Sequence, residues 1–322
     1  MTSTRYATDP PPTDEVLTTQ RAVAFSEYGD PSVLQLMDFP EPHAGAGQVR
    51  VRMRAAGVQP FDCAFRRGDL HGFMHATFPQ VLGNDFAGVV DEIGEEVGNV
   101  RVGDEVLGYC TLAAHAELIV VNADAVVPRP PTLPWEVAGG LSASGQTALN
   151  ALRDLGVSAG ETLLVHAAAG GVGTVAVQLA REWGATVIGT ASPGNHSWLE
   201  SLGITPVTYG PGLVDRVRAL APQGVDVALD CIGGEAVPVS LELVSDRNRI
   251  GTIADYSAVE KYGVRRPGGD RSAENLTELV ELHTAGRLQL PIHLAVPLDD
   301  ASSAHAEVET GHVRGKVVLT AS

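Results

Sequence analysis

Hydrophobic and polar residues follow one pattern in the first part of the chain. Between Arg21 and Val121, short apolar segments are separated by turn residues such as Gly29-Asp30-Pro31, which is typical of β-strands joined by tight turns. The predicted strands are Arg21–Phe25, Val33–Asp38, Gln48–Ala56, Phe86–Ile93, Glu105–Tyr109 and Ala114–Val121. This pattern predicts a compact, barrel-like β-domain.

A second pattern begins near Pro134, where helix-length segments alternate with short apolar strands. The predicted helices are Glu136–Leu155, Thr174–Trp183, Ser197–Leu202, Leu213–Leu220 and Glu235–Leu243. The predicted strands are Thr162–His166, Ala185–Thr190, Pro206–Tyr209, Val225–Asp230 and Arg249–Ile253. Such alternation predicts a doubly wound parallel sheet, so the expected fold class is α/β.

The chain length of 322 residues is enough for two hydrophobic cores. The tail becomes strand-like again after about Leu288, and we expect it to return to the β-rich domain, which then comprises residues 20–143 and 289–322. Residues 144–288 form the expected parallel-sheet domain. Residues 1–19 contain three consecutive prolines and no core pattern, which predicts a flexible N-terminal arm.

The most informative segment runs from Leu163 to Gly173, where an apolar strand leads into small residues and glycines and a predicted helix follows at once. Glycines let phosphate oxygens approach the backbone, and a helix N-terminus offers free N–H groups and a positive dipole end. A tight turn that packs helix on sheet is the alternative interpretation. The second predicted strand, Ala185–Thr190, completes a βαβ unit and favours dinucleotide binding.

The net charge and the cysteine content limit which partners and which cellular compartment we expect for this chain. A formal net charge of −17 argues against nucleic acid and anionic membranes as partners. No stretch approaches the ~18 apolar residues of a membrane helix. The N-terminal segment has neither a basic start nor an apolar run, so we expect a cytoplasmic protein without a secretory signal. The three cysteines are widely spaced and do not suggest a disulfide framework.

Five segments carry a family resemblance. They are Gly57–Asp62 (GVQPFD), Leu82–Val90 (LGNDFAGVV), Gly103–Val106 (GDEV), Ala168–Gly173 (AAGGVG) and Arg314–Leu319 (RGKVVL). Together they resemble the medium-chain dehydrogenase/reductase superfamily, in its zinc-independent quinone oxidoreductase (zeta-crystallin-like) branch. The resemblance implies a GroES-like catalytic domain, a Rossmann NADP-binding domain and a homodimer that pairs through the edge strand near Arg249–Ile253.

The resemblance also indicates whether the chain binds a catalytic metal. Zinc-dependent relatives place Cys and His as the first two catalytic ligands, whereas Gln59 and Asn84 stand at these positions and are poor zinc ligands. Asp62, Asp85 and His71 are the alternative ligands. We predict no metal.

The residues that follow the second strand of the parallel sheet indicate which nicotinamide is bound. An NAD-specific site carries Asp or Glu there, about 20 residues beyond the glycines, whereas Gly189–His196 contains no acidic residue. In the resembling family a serine, a lysine and a tyrosine contact the 2′-phosphate. Ser192 and Tyr209 match, while Asn195 and His196 replace the lysine. We therefore predict NADPH, although Ser192 is also a helix N-cap candidate.

Further cofactor contacts are predicted along the chain. The backbone of Ala169, Gly170, Gly171, Val172 and Gly173 is expected at the diphosphate. The resemblance adds Thr147 near Ser144, Cys231 and Ile232 after Asp230, and Lys316 in the closing strand.

Without a metal or an obvious nucleophile, we expect catalysis by positioning. Hydride passes from the cofactor to a conjugated carbonyl or quinone, and fixed donors stabilise charge on the substrate oxygen. The resemblance places Gln59 and Asp62 beside the nicotinamide. The Gln59 amide can donate while staying neutral, which makes it the predicted oxyanion donor, and a capping role in a turn is the alternative.

The proton source and the pocket wall have several candidates. Tyr109 is the first candidate proton donor, with His71, His75, Tyr256 and solvent as alternatives. Phe61, Phe73 and Met74 are the expected apolar wall, which suits a hydrophobic small-molecule substrate.

Three functions are consistent with these features. The first is an NADPH-dependent reductase of quinones or α,β-unsaturated carbonyls. The second is a tailoring enoyl reductase or redox-neutral enzyme of a biosynthetic pathway, and the third is an NADPH-binding protein without catalysis.

Overall fold

The computed structural model describes residues 18–321, so the predicted N-terminal arm lies almost wholly outside the described residues. In chain order the strands are β1 (Thr19–Phe25), β2 (Gln35–Pro40), β3 (Gln48–Val58), β4 (Gln80–Val81), β5 (Asp85–Ile93), β6 (Glu105–Tyr109), β7 (Leu118–Asn122), β8 (Val126–Pro128), β9 (Thr162–His166), β10 (Thr186–Ala191), β11 (Thr205–Thr208), β12 (Val227–Asp230), β13 (Ile250–Thr252), β14 (Ile292–Pro297) and β15 (Lys316–Thr320). The α-helices are α1 (Pro60–Arg67), α2 (Trp135–Asp154), α3 (Gly171–Glu182), α4 (His196–Ser201), α5 (Leu213–Leu220), α6 (Ala236–Leu243), α7 (Tyr256–Tyr262), α8 (Ala273–Thr284) and α9 (Ala301–Glu309).

Strands from both ends of the chain build the β-rich part. One sheet has the order β14-β15-β3-β5-β6-β8, with β7 pairing to β3, and a smaller sheet has the order β2-β1-β4. The closing strand β15 runs antiparallel to β3, with Val317 opposite Val58. This register brings the first residues of β15 beside the segment that links β3 to α1.

The other sheet is parallel, with the order β11-β10-β9-β12-β13. The chain moves outward from β9 in one direction and then returns to its other side, so the topological switch point lies between β9 and β12. In open α/β sheets, ligands bind at the carboxyl ends of the strands beside such a point. The α/β architecture, with a GroES-like part and a Rossmann-like parallel sheet, is as predicted.

Helix α2 joins the two sheets. It packs against β3, β5 and β15 on one side and against α3 and α8 on the other. Leu141, Leu149 and Leu163 belong to one buried cluster that also contains Ala87 and Leu107 of the β-rich sheet. The two parts of the molecule therefore share apolar packing along this helix.

Most predicted elements lie within a few residues of their predicted bounds, and the exceptions have physical causes. Helix α9 lies in the tail that was predicted as strand; its buried face consists of Ala301, Ala304 and His305, which give little apolar periodicity. Helices α1, α7 and α8 were also missed. The strand that was predicted to begin at Ala114 begins at Leu118. The backbone before Leu118 makes only an isolated bridge to β1 and one hydrogen bond to Leu82, which do not continue as a strand ladder.

The edge predicted for dimer pairing is occupied within the chain. Thr252 N donates to Arg265 O at 3.0 Å and Arg265 N donates to Ile250 O at 2.9 Å, on the side of β13 that faces away from β12. Pairing of β13 itself with a second copy would have to displace this segment. Within residues 18–321, no helix is long and apolar enough to cross a membrane.

Gly139 tests the packing of α2 on the β-rich sheet. A Cβ there would lie 2.6 Å from the Ala55 carbonyl group, so we expect Gly139→Ala to lower the free energy of unfolding by about 1–3 kcal/mol. The measurement is urea unfolding at equilibrium. Gly98→Ala, where a Cβ would meet no atom within 4 Å, is the control. An undiminished stability of Gly139→Ala would contradict this packing.

Candidate active site

The turn from β9 into α3 presents free backbone donors. Gly170 is the N-cap of α3, and within residues 18–321 no hydrogen-bond acceptor lies against the N–H groups of Gly171, Val172 and Gly173. A Cβ at Gly170 would meet only Ala167 O, at 3.4 Å, so the space in front of the turn is open. An open helix N-terminus with free N–H groups fits the diphosphate of a dinucleotide.

Two further glycines allow close packing around this turn. A Cβ at Gly173 would lie 2.2 Å from Ala167 O, so only glycine lets α3 start this close to β9. A Cβ at Gly171 would lie 2.8 Å from Ser144 Oγ and 3.1 Å from Lys316 Cδ. Ser144, of α2, and Lys316, of β15, therefore reach the start of α3.

One backbone hydrogen bond connects the turn to the closing strand. Gly315 N donates to Ala169 O at 2.9 Å. Gly315 has φ +73, and a Cβ there would lie 2.0 Å from Pro291 O, so this position requires glycine. The bond brings β15 of the β-rich part against the glycine turn of the parallel sheet.

The predicted 2′-phosphate residues lie together at the ends of β10 and β11. Asn195 Nδ2 donates to Ser192 Oγ at 3.3 Å, and His196 Nε2 lies 3.4 Å from Thr208 Oγ1. Tyr209 follows Thr208 and is 54% exposed. Sequence reasoning missed Arg216, whose guanidinium donates to the Thr208 carbonyl at 2.8 Å and holds the loop that carries Tyr209.

Asp230 shapes the turn at the end of β12. Its Oδ1 accepts from Ile232 N at 2.8 Å and from Gly233 N at 2.7 Å, and its Oδ2 accepts from Thr252 Oγ1 at 2.7 Å. These bonds leave Ile232 59% exposed at the carboxyl edge of the sheet. Burial raises the pKa of the neighbouring Cys231, which keeps its side chain a neutral thiol.

His166 is a buried, hydrogen-bonded residue at the end of β9. Ser240 Oγ donates to Ala236 O at 2.8 Å, so it accepts from His166 Nε2 at 3.0 Å. Burial lowers the pKa of His166 to about 4, despite the nearby Asp230 carboxylate, and the imidazole is neutral at physiological pH.

A network of buried polar side chains lies between the end of β3 and the start of β15. Gln59 Nε2 donates to Asp85 Oδ1 at 2.9 Å, and Lys316 Nζ donates to Gln59 Oε1 and, at 3.2 Å, to Val58 O. Asp85 Oδ2 accepts from Ala143 N of α2 at 2.9 Å. Three elements (β5, α2 and β15) therefore fix the position of Gln59.

The chemistry of the neighbours fixes the orientation of the Gln59 amide. An ammonium group can only donate and a carboxylate can only accept, so Oε1 must face Lys316 and Nε2 must face Asp85. One of the two Nε2 hydrogens is used at Asp85, and the other has no acceptor among the described residues. Gly57 makes this arrangement possible, since a Cβ there would lie 2.4 Å from Asp85 Oδ1.

Asp62 is enclosed beneath this network. Its carboxylate accepts from Gln59 N at 2.8 Å, Gly83 N at 3.2 Å and Asn84 Nδ2 at 2.9 Å, and the residue has no exposed surface. The expectation that Asp62 lines the cleft is therefore not met. Desolvation by burial raises the pKa of Asp62 to about 7, even though these N–H groups favour the carboxylate.

Comparison with known proteins places the chain in a family. The family model "Alcohol dehydrogenase GroES-like domain" matches residues 45–131, and "Zinc-binding dehydrogenase" matches residues 203–319. The quinone oxidoreductase from Coxiella burnetii is 32% identical and has a TM-score of 0.81, and the alignment covers 95% of this chain and 100% of that one. The chain belongs to the medium-chain dehydrogenase/reductase superfamily. Within it, the chain lies in the quinone oxidoreductase-like branch.

Other relatives widen the comparison. A segment of the pikromycin polyketide synthase component PikAII from Streptomyces venezuelae is 36% identical over 308 residues, which is 87% of this chain and 8% of that protein. The chain thus spans a small part of that relative's length. The CurK enoyl reductase is 27% identical with a TM-score of 0.83, covering 94% of this chain and 99% of that one.

Gln59 and Asn84 stand at the positions predicted for the first two zinc ligands, and both side-chain amides are hydrogen-bonded to carboxylates. Gln59 donates to Asp85, and Asn84 donates to Asp62. In the part of the chain that the structure describes, no three His, Cys, Asp or Glu side chains are grouped as metal ligands.

The predicted proton donors lie in different surroundings. The Tyr109 ring lies 5.1 Å from the Arg271 guanidinium, which donates to the Asn84 and Cys110 carbonyls at 2.9 and 2.8 Å. Burial raises the pKa of Tyr109. His71 and His75 contact each other in an exposed loop, with their Nδ1 atoms 3.2 Å apart.

The three residues predicted to form the apolar wall of the substrate pocket do not all lie together. Phe73 is 77% exposed, and its ring contacts Tyr256 of α7 at a centroid distance of 6.2 Å, which brings the loop that carries Phe73 against α7. Met74 follows in the same loop and is 36% exposed. Phe61 instead stacks on Phe65 at 6.3 Å.

The burial of Asp62 predicts a specific pH dependence of stability. The unfolded carboxyl ionises near its usual pKa of 3.8, whereas the folded one keeps its proton to about pH 7. Unfolding therefore releases a proton between these values, and the wild type loses stability relative to Asp62→Asn as pH rises through this window. Above it, the difference is constant.

Urea unfolding of both proteins from about pH 3 to about pH 8.5, a range that brackets this window, measures that difference. Asp38→Asn, at an exposed position, is the control. A difference between wild type and Asp62→Asn that does not change with pH would contradict the raised pKa.

Proposed function

We propose that the chain is an NADPH-dependent oxidoreductase that reduces a quinone or an α,β-unsaturated carbonyl without zinc. The observation that carries the proposal is the junction where the free N–H groups of Gly171–Gly173 and the fixed amide of Gln59 meet at Lys316. A dinucleotide held at the first would extend toward the second along the carboxyl edge of the sheet.

The cofactor contacts follow from this placement. The backbone of Ala169–Gly173 binds the diphosphate; Ser144 of α2 lies beside the start of α3, and Thr147, three residues further along α2, is the proposed second contact from this helix. Cys231 and the exposed Ile232 border the nicotinamide end. NADPH, when bound, supplies a hydride from its nicotinamide ring.

The residues of the chain then stabilise the charge that this hydride produces. If hydride from a bound cofactor added to the electron-poor carbon of the substrate, negative charge would develop on the carbonyl oxygen, and a proton from solvent would complete the reduction. The free Nε2 hydrogen of Gln59 donates to that oxygen. Its position is fixed before the reaction by Asp85 and Lys316, so little reorganisation is required.

The preference for NADPH rests on the loop after β10. Ser192, Asn195 and His196 offer polar donors there, and no carboxylate follows the strand to repel a 2′-phosphate. Tyr209, held by Arg216, lies beside them. These residues support binding of the phosphorylated ribose.

Absence of zinc from the reaction is supported by the two amides at the metal positions. Gln59 and Asn84 are poor zinc ligands and are already bonded to Asp85 and Asp62. The three cysteines are free thiols, which supports a cytoplasmic protein. We retain a homodimer as part of the proposal, through a surface other than the occupied edge of β13.

Enoyl reduction is the second candidate, and a specific observation favours it. The polyketide synthase segment is 36% identical to this chain, and the CurK enoyl reductase shares its fold with a TM-score of 0.83. Both quinones and enoyl groups are conjugated acceptors for hydride, so the same Gln59 donor serves either.

A turnover screen tests the function. Oxidation of NADPH is followed with a quinone, an enone and an enoyl thioester, and we expect turnover with at least one. Gln59→Leu removes the proposed donor and should lower kcat by about 10²–10³-fold, as for other oxyanion donors. Gln223→Leu, in an exposed turn, is the matched control. Tight binding of NADPH without turnover of any acceptor would instead favour a non-catalytic binding protein.

Cofactor preference is tested by adding a carboxylate at the end of β10. Ser192→Asp places negative charge beside the proposed 2′-phosphate site and should weaken NADPH binding by about 10-fold or more, since like charges repel. NADH binding should not weaken. The dissociation constants are measured by fluorescence titration, with the exposed Ser303→Asp as control. Equal weakening of NADPH and NADH binding, or no weakening of either, would contradict the assignment of Ser192 to the 2′-phosphate site.

A further inference from the structure

Lys316 is a buried cation whose hydrogen bonds point away from the proposed phosphate site. It is one of two lysines in the chain, and it is 2% exposed. Its Nζ donates to Gln59 Oε1 and to Val58 O at 3.2 Å. Its stem lies beside Gly171 and Gly140, between the start of α3 and the second turn of α2. The sequence prediction placed it on the cofactor, whereas these contacts place its charge on the Gln59 amide.

We propose that Lys316 is a positioning residue that holds and polarises Gln59 for hydride transfer, an inference that rests on the proposed function. The ammonium occupies the amide oxygen, so the amide cannot rotate by a half-turn without bringing two donors together. The free Nε2 hydrogen is thereby held toward the cleft.

The same contact strengthens Gln59 as a donor. A cation on the oxygen side of an amide draws electron density from nitrogen, and hydrogen bonds in a chain polarise one another in a low-dielectric interior. Lys316 is enclosed there with Gln59, so water screens its charge little. The positive charge therefore acts on the substrate oxygen through one intervening amide, without transferring a proton.

Asp85 and Asp62 offset part of the energetic cost of burying the positive charge of Lys316. Burial lowers the pKa of Lys316 from its usual value of 10.5, and the nearby Asp85 and Asp62, both inaccessible to solvent, oppose that shift. Asp85 also binds the Nε2 side of the same amide. Gln59 is thus held between a cation and an anion, and its orientation depends on both.

The test is a double-mutant cycle. Lys316→Met keeps a long apolar stem and removes the charge; we expect kcat to fall about 10-fold or more, while the NADPH dissociation constant changes less than about 2-fold. Because Lys316 acts through Gln59, Lys316→Met should have no further effect on kcat in a Gln59→Leu background. Lys261→Met, which removes the exposed lysine, is the control.

A spectroscopic measurement tests the role of Lys316 independently of the proposed function. The side-chain amide signals of Gln59, identified by their loss in Gln59→Leu, should shift in Lys316→Met and exchange faster with solvent. Unchanged signals, additive effects in the cycle, or weaker NADPH binding at constant kcat would each overturn the inference. A wild type without turnover would refute the proposed function instead, and the amide signals would still decide the role of Lys316.

Discussion

The hydrogen bond from Gly315 N to Ala169 O is the contact on which the site depends. It joins the closing strand of the β-rich part to the turn that begins α3, so the two sheets meet at a defined point. Lys316 follows Gly315 directly and reaches Gln59, while Gly171 leaves room for its stem. The free N–H groups at the start of α3 and the fixed amide of Gln59 therefore lie on either side of the Lys316 side chain.

The buried charges around this junction explain why several glycines are needed. Asp85 approaches Gln59 only because Gly57 has no side chain, and α2 approaches β3 only because Gly139 has none. In return, each carboxylate is fully bonded: Asp85 binds Gln59 and Ala143, and Asp62 binds donors from three positions. Buried carboxylates with satisfied oxygens hold a rigid site, and losing one partner would leave a charge exposed to an apolar interior.

The parallel sheet and its glycine turn were predicted from sequence because their signals are local: strand, glycines and helix are neighbours along the chain. Helices α1 and α9 were missed because their buried faces are short and include small or polar residues such as Cys63 and Ala304. The contact between Lys316 and Gln59 spans 257 positions and depends on the pairing of β15 with β3, for which the residues themselves carry no signal. The enclosure of Asp62 was likewise not predictable, since two of its three donors, Gly83 N and Asn84 Nδ2, come from a distant loop.

A crystal structure of the complex with NADPH would locate the cofactor relative to Gln59 and Lys316. We expect the diphosphate on the N–H groups of Gly171–Gly173 and the nicotinamide ring beside Gln59, with Lys316 still bonded to the amide oxygen. A cofactor bound elsewhere, or a Lys316 ammonium turned onto its phosphates, would contradict this expectation.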